Sequence, residues 1–407
     1  MPAPPLSASH AALDDLRVID LSRSFWSALA GTMLADFGAD VIHVHDPDMP
    51  HAWQAELEPE AQWDYLAELA HRNKRSAAIR SDDATGSDLI ERLFDRADVL
   101  LVDWPIAELT ARGWSAEALR ADRPHLIVAR GSGFGPEGPD CDLPADDAIA
   151  AARTGVMPTL PQPGQPPVFP ESGSMYTAIM LAFGVMAAVH HRAESGQGQI
   201  VDASLLGGNM YGASLDLQAY LAIRGEAFLG PMAQADRGNP MSGTLFMTKD
   251  DRWVTLTMPD TDRWWPDFST LIGVRPDDAR FDDHLKRTEE HRSELISVIE
   301  DAIRLRDAAE WRASFEARGL SADVIEEFDY PAEDLEARRN RYVLALEDSS
   351  RGAFKTLGFP IHMSQTPARL DRRPPTQGQH TARILHDLLD LSEGEIDALG
   401  TQGVIRA

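Results

Sequence analysis

A single cysteine, Cys141, stands among 407 residues. No intrachain disulfide can form, which points to a reducing, cytoplasmic setting. Cys141 lies in a Pro- and Asp-rich stretch with no base beside it and reads as an inert thiol. Basic residues are scarce against acidic ones, 38 to 65, for a formal net charge of -27. That balance argues against nucleic acid and anionic membrane surfaces as partners. An anionic ligand would need local cations working against the global field, which salt screens beyond about 8–10 Å. No apolar run reaches the roughly 18–20 residues that span a bilayer. The longest, from Met175 to Val189, is interrupted by Tyr176, Thr177 and Gly184 and reads as a buried helix. The first ten residues have neither a basic start nor an apolar core, so no signal peptide is expected there. No internal repeat, heptad or low-complexity tract stands out.

What remains is an ordinary globular composition, 43% hydrophobic and 25% charged, in a chain long enough for two domains. Leu16 to Leu21 is a short β-rich run, with Ser22 as the expected helix cap. A helix over Ala28 to Phe37 follows, closed by Gly38, and then a strand over Asp40 to Val44. Such a β-α-β unit of about thirty residues marks a parallel sheet. The pattern repeats, with strands at Ser76 to Ile79, Asp98 to Asp103 and His125 to Ala129. Helices are expected at Ser87 to Arg96 and Ala116 to Ala121. Strands apolar on both faces need helices on both sides, which makes the fold class α/β.

Residues 136–171 are rich in Pro, Gly and Asp and read as a long loop holding one helix near Asp146 to Arg153. A loop of that length inside a domain is usually functional. A hairpin turning at Lys249 to Asp251 and charged helices from about Asp283 to Arg318 have a different character. The expected division is a large domain from 1–224 and 336–407 and a small domain from 225–335. A terminal helical pair, Thr381 to Leu389 and Ser392 to Leu399, ends the chain.

Six blocks in order carry a resemblance. They are Asp20-Leu21-Ser22-Arg23 with Leu34 to Ile42, Arg72-Asn73-Lys74-Arg75-Ser76, Gly131 to Gly135 with Gly138-Pro139, Gly173 to Arg192, Gly196 to Ser204, and Gly358-Phe359-Pro360 onward to Leu385. Together they resemble the family III CoA-transferases, the formyl-CoA transferase and α-methylacyl-CoA racemase family. The resemblance implies a Rossmann-like large domain built from both chain ends, a smaller middle domain, and an interlocked dimer. It also implies coenzyme A, as acyl-CoA, for a substrate. In that family an Asp after the Gly of the fourth block attacks the thioester, and an enzyme-bound CoA thioester follows. The corresponding residue here is Ser174. A serine ester is less activated, and serine needs a base to attack. The nearby acid is Glu171, three residues earlier, which makes Ser174 and Glu171 the candidate catalytic residues. The other reading leaves Ser174 as no nucleophile, capping the helix after it.

Other positions also depart from the family pattern. Trp26-Ser27-Ala28 stands where the family has Ala-Gly-Pro in an opening loop near CoA, and Asp103-Trp104 where it has Asn-Phe. Asp103 would repel phosphate; Phe25 and Trp26 could fill ligand space. The Gly-rich loop of the family is not seen around Arg237 to Pro240, and Arg112 is one residue out of register. In favour of CoA stand Arg72, Lys74 and Arg75, which are either a phosphate site or a solvated surface run. Gly133-Phe134-Gly135 either admits a close ligand or packs a tight turn. His43 and His45 share a strand face, but no third ligand is evident, so no metal is expected. A racemase needs a His/Asp pair; Asp146 and Ser174 occupy those positions.

Two functions survive. One is a CoA-transferase for carboxylic acids with a rearranged, degenerate active site, working as a homodimer. The other is a non-catalytic subunit of a heterodimer whose Asp-bearing paralogue does the chemistry.

Overall fold

The computed structural model describes residues 11–48, 63–223, 238–348 and 352–407. The segment 1–10, where no signal peptide is expected, the domain boundary at 224/225 and Arg237 fall outside the described residues. The chain divides into two units. One takes residues up to Met157, Phe169–Ile223 and Glu336–Ala407; the other takes Pro158–Val168 and the segment from Arg224 to Leu335.

The first unit is built on β1 (Arg17–Asp20), β2 (Asp40–His45), β3 (Arg75–Ile79), β4 (Val99–Val102), β5 (Ile127–Ser132) and β6 (Ile200–Ser204). Their order in the sheet is β3-β2-β1-β4-β5-β6, all parallel. The strand Ile405–Arg406 adds antiparallel to β3 and completes seven strands, so the end of the chain closes the sheet begun near its start. Alternate strand residues enter opposite cores. Ile19, Ile42, Leu100 and Val128 join one cluster, and Val18, Val41, Val99 and Ile127 the other. That two-sided burial is why these runs lack polar alternation.

The helices of this unit up to residue 223 are α1 (Phe25–Asp36), α2 (Tyr65–His71), α3 (Ala84–Phe94), α4 (Ile106–Ala111), α5 (Ala116–Asp122), α6 (Asp147–Ala152), α7 (Gly173–Ser195), α8 (Leu205–Gly212) and α9 (Ser214–Ile223). Several differ from expectation. α1 begins three residues early, so Phe25 and Trp26 lie in its first turn rather than in an opening loop. Ser22 does not cap it; its N–H and hydroxyl both bond Asp20. α7 runs past His190 and His191 to Ser195, where Gly196 at φ 72° takes the left-handed conformation that ends a helix. At 23 residues α7 is long and apolar enough to cross a membrane. Its Ala178, Leu181, Val185 and Ala188 instead pack into the core shared with α1. The α2, α4, α8 and α9 helices and the hairpin Val343–Asp348 with Gly352–Leu357 were not anticipated.

Under α1, Lys74 and Asp20 form an ion pair of 2.7 Å, both side chains fully buried. Lys74 also donates to the Ala28 carbonyl of α1 at 2.6 Å. Burial alone would raise the Asp20 carboxyl, but Lys74 and then His43 outweigh it and hold it well below the usual carboxylate range. The His43 ring stacks on His45 at 5.3 Å and meets His71 at 4.6 Å.

The second unit has a three-stranded antiparallel sheet, Ser242–Met247, Trp253–Thr257 and Ala322–Val324. Its first two strands form the hairpin that turns at Lys249 to Asp251, with Asp251 at φ 60°. Helices Thr261–Leu271, Arg292–Ile303 and Ala308–Arg318 cover a core that includes Trp265, Phe268, Phe281 and Trp311.

Lys74→Met leaves the Asp20 carboxylate buried without its cation. The expected cost in chemical denaturation is about 3–5 kcal/mol. In the native chain Asp20 contributes stability above its unfolded pKa of about 3.9, lost as pH falls through the lower folded value. In the variant only His43 still opposes burial, so the folded value rises. The deficit is therefore largest near neutral pH and shrinks on acidification; a deficit that grows toward acid contradicts this account.

Candidate active site

β1 leads to β2 on one side, while β4 lies on its other side. Open parallel sheets place ligands at such a reversal, beyond the carboxyl ends of the strands. A cavity of about 280 Å³ lies there, lined in part by Trp26, Asp103, Trp104, Arg130, Gly131 and Gly133. These residues follow β1 and β4 or sit at the end of β5 and just past it, so the sheet brings them together from three distant stretches.

Asp103 is the fixed point of this cavity. Its carboxylate accepts from the Arg23 N–H at 2.8 Å, the Ser24 N–H at 2.7 Å and the Ser24 hydroxyl at 2.5 Å. It thus sits on the amide groups that open α1. Burial raises its pKa above the usual carboxylate value despite these bonds, with the charge of Asp20 adding to the shift. Trp104 donates its indole N–H to the Leu21 carbonyl at 2.7 Å. Arg23 lies over the Trp104 ring at 3.7 Å and grips Glu108 with two bonds of 2.9 Å. Those bonds hold Glu108 below its usual value.

Trp26 lies against Gly131 so closely that a methyl group there would overlap its ring. Gly133 packs the same way against Ala145, and its carbonyl accepts from Leu206. Phe134 lies under the Arg153 guanidinium at 4.0 Å. Gly135, at φ 110°, donates to the Ser132 hydroxyl. Phe134 and Gly135 do not line the cavity; Cys141 does.

The basic turn is not the solvated surface run that was one reading of it. Arg72 is buried on Asp36 at 2.7 Å and donates to the carbonyls of Leu357 and Gly358. Lys74 holds Asp20, and Arg75 holds Asp40 through bonds of 2.8 and 2.6 Å. Each cation therefore has an internal carboxylate, which accounts for the motif without a ligand.

Ser174 lies in the first turn of α7 and does not cap it; Ser172 occupies that position. The Ser174 N–H donates to Asp147 at 2.9 Å, and Asn209 holds the other oxygen of that carboxylate at 2.7 Å. Among the described residues no base hydrogen-bonds the Ser174 hydroxyl. Glu171 is exposed, with φ 51°. Neither residue lines the cavity. Sequence reasoning missed Asp147, Arg23 and Arg130. Asp147 carried a signal, since it is an acid in the long loop at the start of the helix α6, but only the fold brings it to α7.

A family model described as CoA-transferase family III matches residues 13–381. The chain belongs to that family. It is 26% identical over 394 residues to the cinnamoyl-CoA:phenyllactate CoA-transferase of Clostridium sporogenes, covering 94% of this chain and 95% of that one. It is 27% identical over 402 residues to the succinyl-CoA–L-malate CoA-transferase beta subunit of Chloroflexus aurantiacus, covering 97% and 98%. The fold matches a CAIB/BAIF family protein of Brucella suis with a TM-score of 0.80, over 93% of this chain and 100% of that one, at 24% identity.

Gly131→Ala is expected to destabilise this CoA-transferase-family chain by about 1–3 kcal/mol in denaturant, the usual cost of overpacking. Trp26→Leu in the same chain relieves most of that loss. A double-mutant cycle with no coupling between the two positions would contradict the packing described.

Proposed function

We propose that this chain moves CoA between acyl-CoA thioesters and carboxylic acids through an atypical site, with Ser174 where the family carries its nucleophilic Asp. The observation that carries the reading is the cavity at the strand reversal, in a chain whose family match spans nearly all of it. Asp103, Trp104 and Gly133 are its proposed ligand contacts, and Glu171 with Ser174 its proposed reacting groups. Glu171 is exposed on the loop entering α7. A carboxylate suits the chemistry because its anhydride and thioester exchange readily with other acids and thiols.

A second reading is favoured by one observation. No base bonds the Ser174 hydroxyl among the described residues, so nothing there activates it. On this reading the chain is the non-catalytic subunit of a heterodimer with an Asp-bearing paralogue. The Chloroflexus relative named as a beta subunit makes that division of labour reasonable. Either reading supposes a dimer. Phe183 on α7, Tyr211 on α8 and Leu215 and Leu221 on α9 are large apolar side chains left exposed, of the kind a subunit contact covers. A cytoplasmic location fits a chain with one thiol and acyl-CoA substrates.

The test is transfer of CoA from an acyl-CoA to a free acid, followed by chromatography. The chain is assayed alone and after co-expression with an Asp-bearing homologue. On the first reading the chain is active alone, and Glu171→Gln lowers kcat by about 10³-fold or more. Activity only in the co-expressed complex, unaffected by Glu171→Gln, establishes the second. Ser174→Asp alone is expected not to confer activity, because Trp26 and Asp103 also differ from the family pattern; turnover by that single variant would refute this.

A further inference from the structure

An anion in a strand-reversal crevice is ordinarily held by two kinds of group: amides at the start of a helix, and cationic side chains. In this chain a carboxylate of its own meets groups of both kinds at the cavity wall. The amides leading into α1, those of Arg23 and of its N-cap residue Ser24, donate to Asp103. The two arginines lining the cavity are Arg23 and Arg130. Arg23 is bound through two bonds to Glu108. Arg130 is bound through two bonds to Asp202, at 2.8 and 3.1 Å. Three carboxylates line the same cavity, Asp103, Asp142 and Asp202, against those two cations. Much of the remaining wall is apolar: the indoles of Trp26 and Trp104, with Ile106 and Leu143. The volume, about 280 Å³, is just below the roughly 300–1,000 Å³ of sites that enclose a whole drug-sized ligand. It holds one part of a molecule as large as CoA.

We propose that Asp103 is a built-in anion that excludes phosphate from this crevice, so that the cavity beside it takes an uncharged, flat portion of the ligand. That inference rests on the acyl-CoA reading for the identity of the ligand, though not for the exclusion itself. The uncharged portion has two sources in an acyl-CoA, the nucleobase and the acyl-pantetheine arm. The phosphates then lie outside the crevice. Asp103 is a specificity-determining residue on this account, acting by charge and by occupying the amides.

The experiment is calorimetric titration of the full chain with inorganic pyrophosphate, adenosine and an uncharged acyl-pantetheine. The native chain is expected to bind adenosine or the acyl-pantetheine with an affinity indifferent to salt, and pyrophosphate at least about 10-fold more weakly than Asp103→Asn does. Freeing one amide and removing one repelling charge is worth that factor or more. Pyrophosphate binding to the variant weakens steeply as salt rises, while binding of the uncharged probe stays indifferent to salt in native and variant chains alike. Which of the two uncharged probes binds identifies the source. Asp103→Ser, which keeps a small acceptor without the charge, gives the same contrast should Asp103→Asn melt. Equal pyrophosphate affinity in native and variant chains, or no binding of either uncharged probe, overturns the proposal. None of these arms needs turnover. A chain inactive in CoA transfer that shows the contrast loses only the transferase reading, and an active chain without it loses only this one.

Discussion

Lys74 and Asp20 meet beneath α1 with neither side chain reaching solvent, and the ammonium also holds the Ala28 carbonyl. Three elements are joined at that point: the end of β1, the first turns of α1 and the entry to β3. A buried pair of this kind gives little net stability over a well-packed apolar substitute, but breaking it is costly. Its consequence here is positional. It ties the beginning of α1, where Trp26 lies, to the end of β1 and the entry to β3. Gly131 completes the arrangement, because only a residue without Cβ leaves room for the Trp26 ring.

Neutralisation by the chain itself runs through the whole first unit. Arg72 with Asp36, Arg75 with Asp40, Arg23 with Glu108 and Arg130 with Asp202 are all internal pairs. In a chain with a formal charge of -27 these cations are surrounded by acids, and the fold uses them as ties between segments distant in sequence. Arg72 and Asn73 illustrate this: they reach the carbonyls of Leu357, Gly358 and Arg369, nearly three hundred residues away. A basic turn with that duty is structural, whatever its resemblance to a phosphate site.

Much of the sheet was legible. Val18, Ile19, Leu100, Leu101 and Ile127 belong to short apolar runs bounded by turn residues, and a strand covered on both faces leaves that mark. The short helices α2 and α4 and the hairpin near Val343 escaped because they are brief or largely exposed, with no periodic stripe to detect. In the site, Asp103 and Trp104 were legible as departures from a family pattern. Asp147 was not connected to Ser174, because 27 residues of loop and helix separate them and only the packing of α6 against α7 closes that gap.

The sequence by itself determined the α/β class, the family and the absence of a carboxylate at position 174, since these follow from local patterns and residue identity. Tertiary structure decided what the charges do. Whether an arginine faces a ligand, the solvent or an aspartate depends on which distant segments pack beside it. That is why Asp103 could be seen in the sequence only as an oddity, and why the fold alone shows it seated on the amides of α1.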